Sequence, residues 1–452
     1  MNKRKGLLAV IAVWQCSVIG MCLLLYLSFR GYADISRQVK AFEMSEAEFG
    51  ISLAEALKIH EQYVEALAEI SNTTDKSIDA KVTDAEAQSN KENMNSEDEQ
   101  ADKSKNNAEK QDEDENKATH APEKENNADI EDKEADLLVA GDLLLSGAVL
   151  RQYERSNREI TGLVQDKLLE VMQQADIFMV NHEFPFSTRG EAMENKEYTF
   201  RAAPDNVGIL KEMGIDIVSL ANNHALDYGI DALFDTFDTL DEAGIPYVGA
   251  GNNLERAKQL EIIEVNGIKF GFLAASRVIP VTNWNATDSR AGMLTTYNPT
   301  ALTEEIRKAD KECDVLAVYV HWGLEYSELP EEYQTIMAKQ YIDAGADVVI
   351  GSHPHVVQGF SYYKGKLIAY SLGNFVFGNA IKRGMLLNIT ADRDGNIKAG
   401  IVPFESPGFT LTEMPEQGEK EFYEYLTGIS FGAGVDENGM LYEISGDYAE
   451  AQ

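Results

Sequence analysis

With 40 Lys and Arg against 76 Asp and Glu over 452 residues, the chain carries a net charge of -36. That excludes the basic footprint of a nucleic-acid binder, and it repels any anionic polymer not met by a local basic site or a bound cation. Of the three cysteines, Cys16 and Cys22 fall in an N-terminal apolar run and only Cys313 lies later, so no disulfide framework is available to the rest of the chain.

Lys3, Arg4 and Lys5 precede an apolar segment from Gly6 to Leu27, which as a helix spans roughly 30 Å, enough to cross a bilayer. The basic flank keeps the N-terminus in the cytoplasm and sends the remainder outside. Residues 1–34 are thus expected to form a single-pass anchor in the cell membrane. A cleaved signal peptide, with Gly31-Tyr32-Ala33 at the cut, is the alternative. The helical spacing of apolar residues over 35–70 predicts a stalk, or a docking helix for a membrane partner. From 71 to 135 the chain holds 20 acidic residues, nine lysines and no aromatic side chain, which predicts a disordered, self-repelling acidic linker.

Order is expected from 136 to 410. Leu137–Ala140 ends in Gly141-Asp142, and Ala175–Val180 ends in Asn181-His182-Glu183. Ile215–Leu220 ends in Asn222-Asn223-His224, Val315–Val320 in His321-Trp322, and Asp347–Ile350 in Gly351-Ser352-His353-Pro354-His355. Continuous apolar runs read as strands buried on both faces, whose carboxyl ends gather ligands. Helix-like segments at 206–213, 229–243, 300–311 and 331–344 alternate with them, which predicts an α/β fold. Ile262–Val265 and Lys269–Ala274, joined by Asn266-Gly267, read as a β-hairpin, so the sheet directions should be mixed.

Five of the seven histidines, at 182, 224, 321, 353 and 355, occur at these strand ends. Combined with Asp142 and Glu183 they offer the carboxylate and imidazole mixture that suits Mn, Fe or Zn. On an extended segment His353 and His355 would share one face. By the same alternation Asn181 and Glu183 point together and His182 points away, into a structural role or one supporting a ligand. Asp227 is expected to brace either His224 or the turn. Trp322, Glu325 and Tyr326 either line a cleft or pack beside His321, and Asn374 sits either at the site's rim or in a structural turn. Arg201 and Arg277 are candidates for grasping an anion.

These motifs, in order with Ser371-Leu372-Gly373-Asn374-Phe375, resemble the poly-γ-glutamate capsule-synthesis family of CapA type over roughly residues 136 to 405. That family is similar to the calcineurin-like metallophosphoesterases. The resemblance implies a four-layered α/β/β/α sandwich, a two-metal centre, and a membrane-anchored protein working outside the cell with a polyglutamate synthase complex. It would make Asp142 a ligand of the first metal, Glu183 the bridge, and Asn223, His321 and His353 ligands of the second, with His355 returning to the first. His224 would stabilise or protonate a leaving oxygen, while Asn222, Asp227, Trp322 and Glu325 would support the ligands or the substrate.

Two positions depart from the metallophosphoesterase pattern: Leu144 stands where a histidine ligand is usual, and Glu183 replaces an aspartate. Three functions therefore stay open. One is a hydrolase acting on an anionic polymer or phosphorylated envelope substrate in capsule production. The second is a non-catalytic polymer-binding or export component, and the third a cell-envelope phosphoesterase unrelated to capsule. Residues 411–452 form an acidic C-terminal segment in which only Glu419–Leu426 reads as helical.

Overall fold

A computed structural model describes residues 134–444. The expected anchor and stalk, and all but the last two residues of the linker, lie outside the described residues. Among the described residues no helix is long and apolar enough to cross a membrane.

Strands are numbered in chain order. The first sheet runs β15 (Thr412–Glu413), β14 (Ile397–Ser406), β13 (Ile381–Ala391), β1 (Ala135–Leu143), β2 (Ile177–His182), β3 (Ile217–Ser219), β4 (Tyr247–Val248). In it β1 to β4 are parallel and the remaining strands antiparallel. The second runs β11 (Phe360–Tyr363), β12 (Lys366–Ala369), β10 (Val348–Ser352), β9 (Val315–His321), β7 (Ile268–Ser276), β6 (Glu261–Val265). Its four central strands are parallel and both edges antiparallel. Two small pairs, β5 (Ala250–Gly251) with β8 (Gly292–Met293) and β16 (Ala433–Val435) with β17 (Leu441–Glu443), complete the strands.

The two-residue period of each strand builds the layers. Leu137 and Val139 of β1 meet Val315, Ala317 and Tyr319 of β9 in a core between the sheets. The alternate residues Leu138 and Ala140 face outward onto α1 (Gly147–Arg155), α2 (Asp166–Gln174), α3 (Val207–Glu212) and α4 (Ile230–Ala243) through Val149, Leu168, Leu210 and Phe237. Beyond the short α5 (Leu254–Ala257), α6 (Thr300–Ala309) and α7 (Glu332–Ala344) cover the other sheet. There Leu302, Ile306 and Tyr341 pack on Leu316, Val318 and Val320. At about 1.5–3 kcal/mol for each large apolar side chain buried, these three cores dominate the stability. The result is a four-layered α/β/β/α arrangement, as the family resemblance implies.

The four expected helices are present, each shorter by one or two residues. The hairpin is β6–β7, and its turn residues Asn266 and Gly267 both have positive φ, 53° and 79°, the signature of the tight turn that matches strand twist. Past Pro407 the chain stays in the same unit: β15 extends the first sheet, and α8 (Glu416–Gly428) buries Phe422 and Leu426 in the core between the sheets.

Candidate metal centre

All five strands whose ends carry candidate ligands point the same way within their sheets, so their carboxyl ends share one edge of the sandwich. Register does the finer placement. Asp142 pairs with Asn181 across β1 and β2, and Ser352 with His321 across β10 and β9. Gly141 lets β1 approach the turn after β12: a Cβ there would lie 1.9 Å from the Gly373 carbonyl oxygen.

Asp142, Glu183 and His321 offer ligand atoms within 4.8 Å of one another, and so do Glu183, His353 and His355, with Glu183 common to both groups. His355 Nδ1 lies 3.1 Å from Asp142 Oδ2 and 2.9 Å from Asn374 Oδ1. Asn223 Oδ1 sits 2.7 Å from His321 Nε2, whose other ring nitrogen is 3.1 Å from Ser352 Oγ. The His321 and His353 rings are 4.7 Å apart between centroids. Asp142, Glu183, Asn223, His321 and His353 are all buried.

The electrostatics are those of a desolvated donor cluster. Burial, then the neighbouring Asp142, raises the Glu183 carboxyl well above the ordinary range. Burial drives His321 well down, and burial with the nearby His355 lowers His353 to about 4. Burial would lower His355 too, but the Glu183 and Asp142 carboxylates outweigh it and push that ring up to about 10. Both Glu183 carboxylate oxygens and His353 Nδ1 are buried without a hydrogen-bond partner. Glu183 Oε1 approaches His321 Nε2 only to 3.4 Å. Buried polar atoms normally find partners; here the unmet donors and acceptors converge, which is what a cation would satisfy.

His353 and His355 reach the cluster for a different reason from the one their spacing implies. They do not alternate along a strand. Both sit in a bend after β10 with positive φ, 96° and 59°, backbone that non-glycine residues adopt only at a cost of about 1–3 kcal/mol and that gathers at functional sites.

Beside the ligands, His224 is buried and its Nδ1 lies 2.7 Å from Asp227 Oδ2. Burial lowers its pKa, so the neutral ring donates Nδ1–H to Asp227 and keeps Nε2 as its free lone pair. Asn222 donates to Asn181 Oδ1 and to the His182 carbonyl, and accepts from the His224 amide. His182 itself packs at a tilt against Phe184 and Phe186 with both ring nitrogens unpartnered, away from the ligands. Trp322 is fully buried, donates Nε1–H to the Tyr370 carbonyl and stacks on Tyr341. Of its two readings, packing is the one the structure shows. Glu325 is exposed, as is Tyr326, whose ring lies 6.4 Å from that of His355. Arg201 stacks on Tyr228, and Arg277 is held by the Thr296 and Tyr297 carbonyls over the Tyr333 ring. Leu144 is buried in the outer apolar core.

Three participants were not among the candidate site residues, and only Lys196 lies outside every motif. Asn181 donates to Asp142 and touches His321, Ser352 supports His321, and Lys196 reaches His224 and Asp227 from a long loop. Alternation from Glu183 pointed to Asn181. Nothing in the sequence pointed to Lys196.

Residues 136–379, more than half of the chain, match the family described as bacterial capsule synthesis protein PGA_cap. The chain belongs to that family. It is 34% identical over 254 residues to the capsule biosynthesis protein CapA of Bacillus anthracis, a match spanning 55% of this chain and 61% of that protein. To the PGA biosynthesis protein CapA of Bacillus subtilis it is 34% identical over 282 residues, covering 61% of this chain and 74% of the other. Among solved structures, the NAD nucleotidase of Haemophilus influenzae is similar at a TM-score of 0.39 and 12% identity, over 68% of this chain and 57% of that one. That likeness is too distant to carry a functional inference.

Proposed function

We propose that the protein serves poly-γ-glutamate or capsule production from the outer face of the cell membrane, as part of a polyglutamate synthase complex. In this reading residues 134–444 hold one or two divalent transition metal ions in a hydrolase-like site acting on an anionic polymer or a phosphorylated envelope substrate. The observation that carries it is the Glu183 carboxylate, buried with neither oxygen partnered, at the meeting point of Asp142, His321, His353 and His355. Asp142, Glu183, Asn223, His321, His353 and His355 would hold the metal, a donor set that fits Mn, Fe or Zn.

Bound there, such an ion supplies the positive charge that polarises a phosphoryl or carbonyl oxygen. It also answers the charge problem posed by an acidic chain meeting an anionic polymer. The protein's own part is positional. Asp227 fixes the His224 tautomer, leaving Nε2 to exchange a proton with the substrate, and Asn222 fixes the turn on which both stand. The test is elemental analysis of the purified full chain, before and after loading with Mn, Fe or Zn, with a phosphoesterase and γ-glutamyl hydrolase screen on the same samples. Near-stoichiometric metal in the natural chain and its loss in Glu183→Gln is the expected result. No metal retained after loading, with an unchanged melting temperature, would sink the reading.

A second reading, a non-catalytic component that binds or exports polymer, is favoured by Leu144, which buries an apolar side chain where a further imidazole would complete the ligand set. The two separate on His224→Ala in cells lacking the protein: polymer production restored by that variant supports binding or export, and production lost supports catalysis.

A further inference from the structure

We propose that Lys196 is a positioning residue that pins a strap, residues 193–200, over the Asn222–Asp227 turn and so fixes His224 and the Asn223 ligand. This rests on the reading above in taking His224 as the working side chain.

Lys196 stands in the loop between β2 and α3, where no periodicity marks it. Its side chain is 12% exposed, rare for a lysine unless it is paired. The ammonium donates to the Asn223 carbonyl and to Asp227 Oδ1, lies 3.0 Å from His224 Nδ1, and sits 5.3 Å from the centre of the Trp284 ring. Burial lowers its pKa and Asp227 acts against that.

The contacts on either side of Lys196 reach the same turn. The Met193 amide donates to the Asp227 carbonyl at 2.8 Å, and the Phe200 amide donates to Asp227 Oδ2 at 2.7 Å. The Phe200 ring packs on the His224 ring at 4.9 Å. Asp227 thereby gathers three contacts: Oδ1 takes the ammonium, and Oδ2 takes the Phe200 amide and His224 Nδ1–H. Without Lys196 a fully buried carboxylate would lose its countercharge, and breaking one partner from such a pair is strongly destabilising to its surroundings. That disturbance falls on a turn whose next residues are a ligand and the proton-handling ring. The chemistry of the ligands themselves does not require a lysine here; the geometry of their support does.

The test is amide hydrogen exchange on the full chain, natural and Lys196→Met, with Lys196→Ala as a second variant for chemical rescue. Lys196→Met keeps the stem and removes the charge. Expected is exchange faster by about tenfold or more at the Phe200 and His224 amides, with β1 and β9 unchanged, since local opening is governed by local contacts. In Lys196→Ala, propylammonium chloride should restore protection where sodium chloride at equal ionic strength does not, a response that a side chain serving only as packing would not give. Unchanged protection at Phe200 and His224 in Lys196→Met overturns the proposal, and so does loss spread over the whole domain. Metal content measured on the same samples keeps the readings apart: a chain that binds no metal but loosens locally retains Lys196 as the pin and loses the metal centre.

Discussion

On one flank of the donor cluster Asp142 and His355 hold each other at 3.1 Å as an ion pair, whereas on the other Asn223 and His321 meet through a neutral hydrogen bond of 2.7 Å. The flanks would therefore admit a cation by different routes. Burial drives His321 well down, so it can present a ring nitrogen to a cation without giving a proton to solvent, and its Nδ1 faces Ser352 Oγ at 3.1 Å. His355 is pushed up to about 10 and must give a proton to solvent. A metal would displace a proton on the first flank and none on the second, so of the two the first carries the pH dependence of binding, beside the shared Glu183, whose carboxyl is also raised.

Glu183 is common to both ligand groups, and its removal is the largest disturbance available. Glu183→Gln should lower metal affinity by on the order of 100-fold or more, beyond the 10- to 100-fold typical of losing an outer support. Competition with a chelating dye measures it. An effect confined to a few-fold would show that the two flanks bind independently.

The comparison sharpens with pH. Because the metal-free His355 carries its proton up to about pH 10 and the shared Glu183 carboxyl is raised well above its ordinary range, apparent affinity should rise by about tenfold or more per pH unit between 6.5 and 9, with at least one proton released per ion. His355→Gln should reduce that slope by about one proton, leaving the part owed to Glu183, while Asn223→Ala should weaken binding and leave the slope intact. Without metal the sign reverses for stability. His355 has a folded-state pKa raised above its unfolded value, so its contribution is full below about pH 6.5 and is lost as pH rises through about 10. Calorimetric melting of the metal-free chain from pH 6 to 10 checks the loss, which His355→Gln should abolish.

What the sequence reveals follows from how local each cause is. The strands, their order with the helices and the β6–β7 turn were legible because burial on two faces and a two-residue Asn-Gly turn leave marks a few residues long. Asp142, Glu183, Asn223 and His321 were legible for the same reason, each at the end of such a run. His353 and His355 were found through a wrong geometry: positive φ at both depends on the bend after β10, which no spacing rule encodes. Lys196 was invisible, since its partners lie 27 to 31 residues away and the loop carrying it has no pattern. Trp322 could not be decided without its distant partners Tyr341 and Tyr370.

His182 supplies the smallest expected effect and a control for both flanks, being the one strand-end histidine of the five that turns away from the ligands. It is fully buried against Phe184 and Phe186, and burial lowers its pKa to about 3. A histidine with a depressed folded-state pKa leaves stability untouched above about pH 6.5. As pH falls from there toward 3, the unfolded chain takes up a proton the folded chain refuses, and stability declines. His182→Phe removes that liability and two unsatisfied nitrogens while keeping an aromatic ring in the cluster. It should raise stability by about 1 kcal/mol at neutral pH, by more at pH 5, and leave metal content unchanged. Denaturant melts at the two pH values check it, and a fall in metal content would return His182 to the donor set.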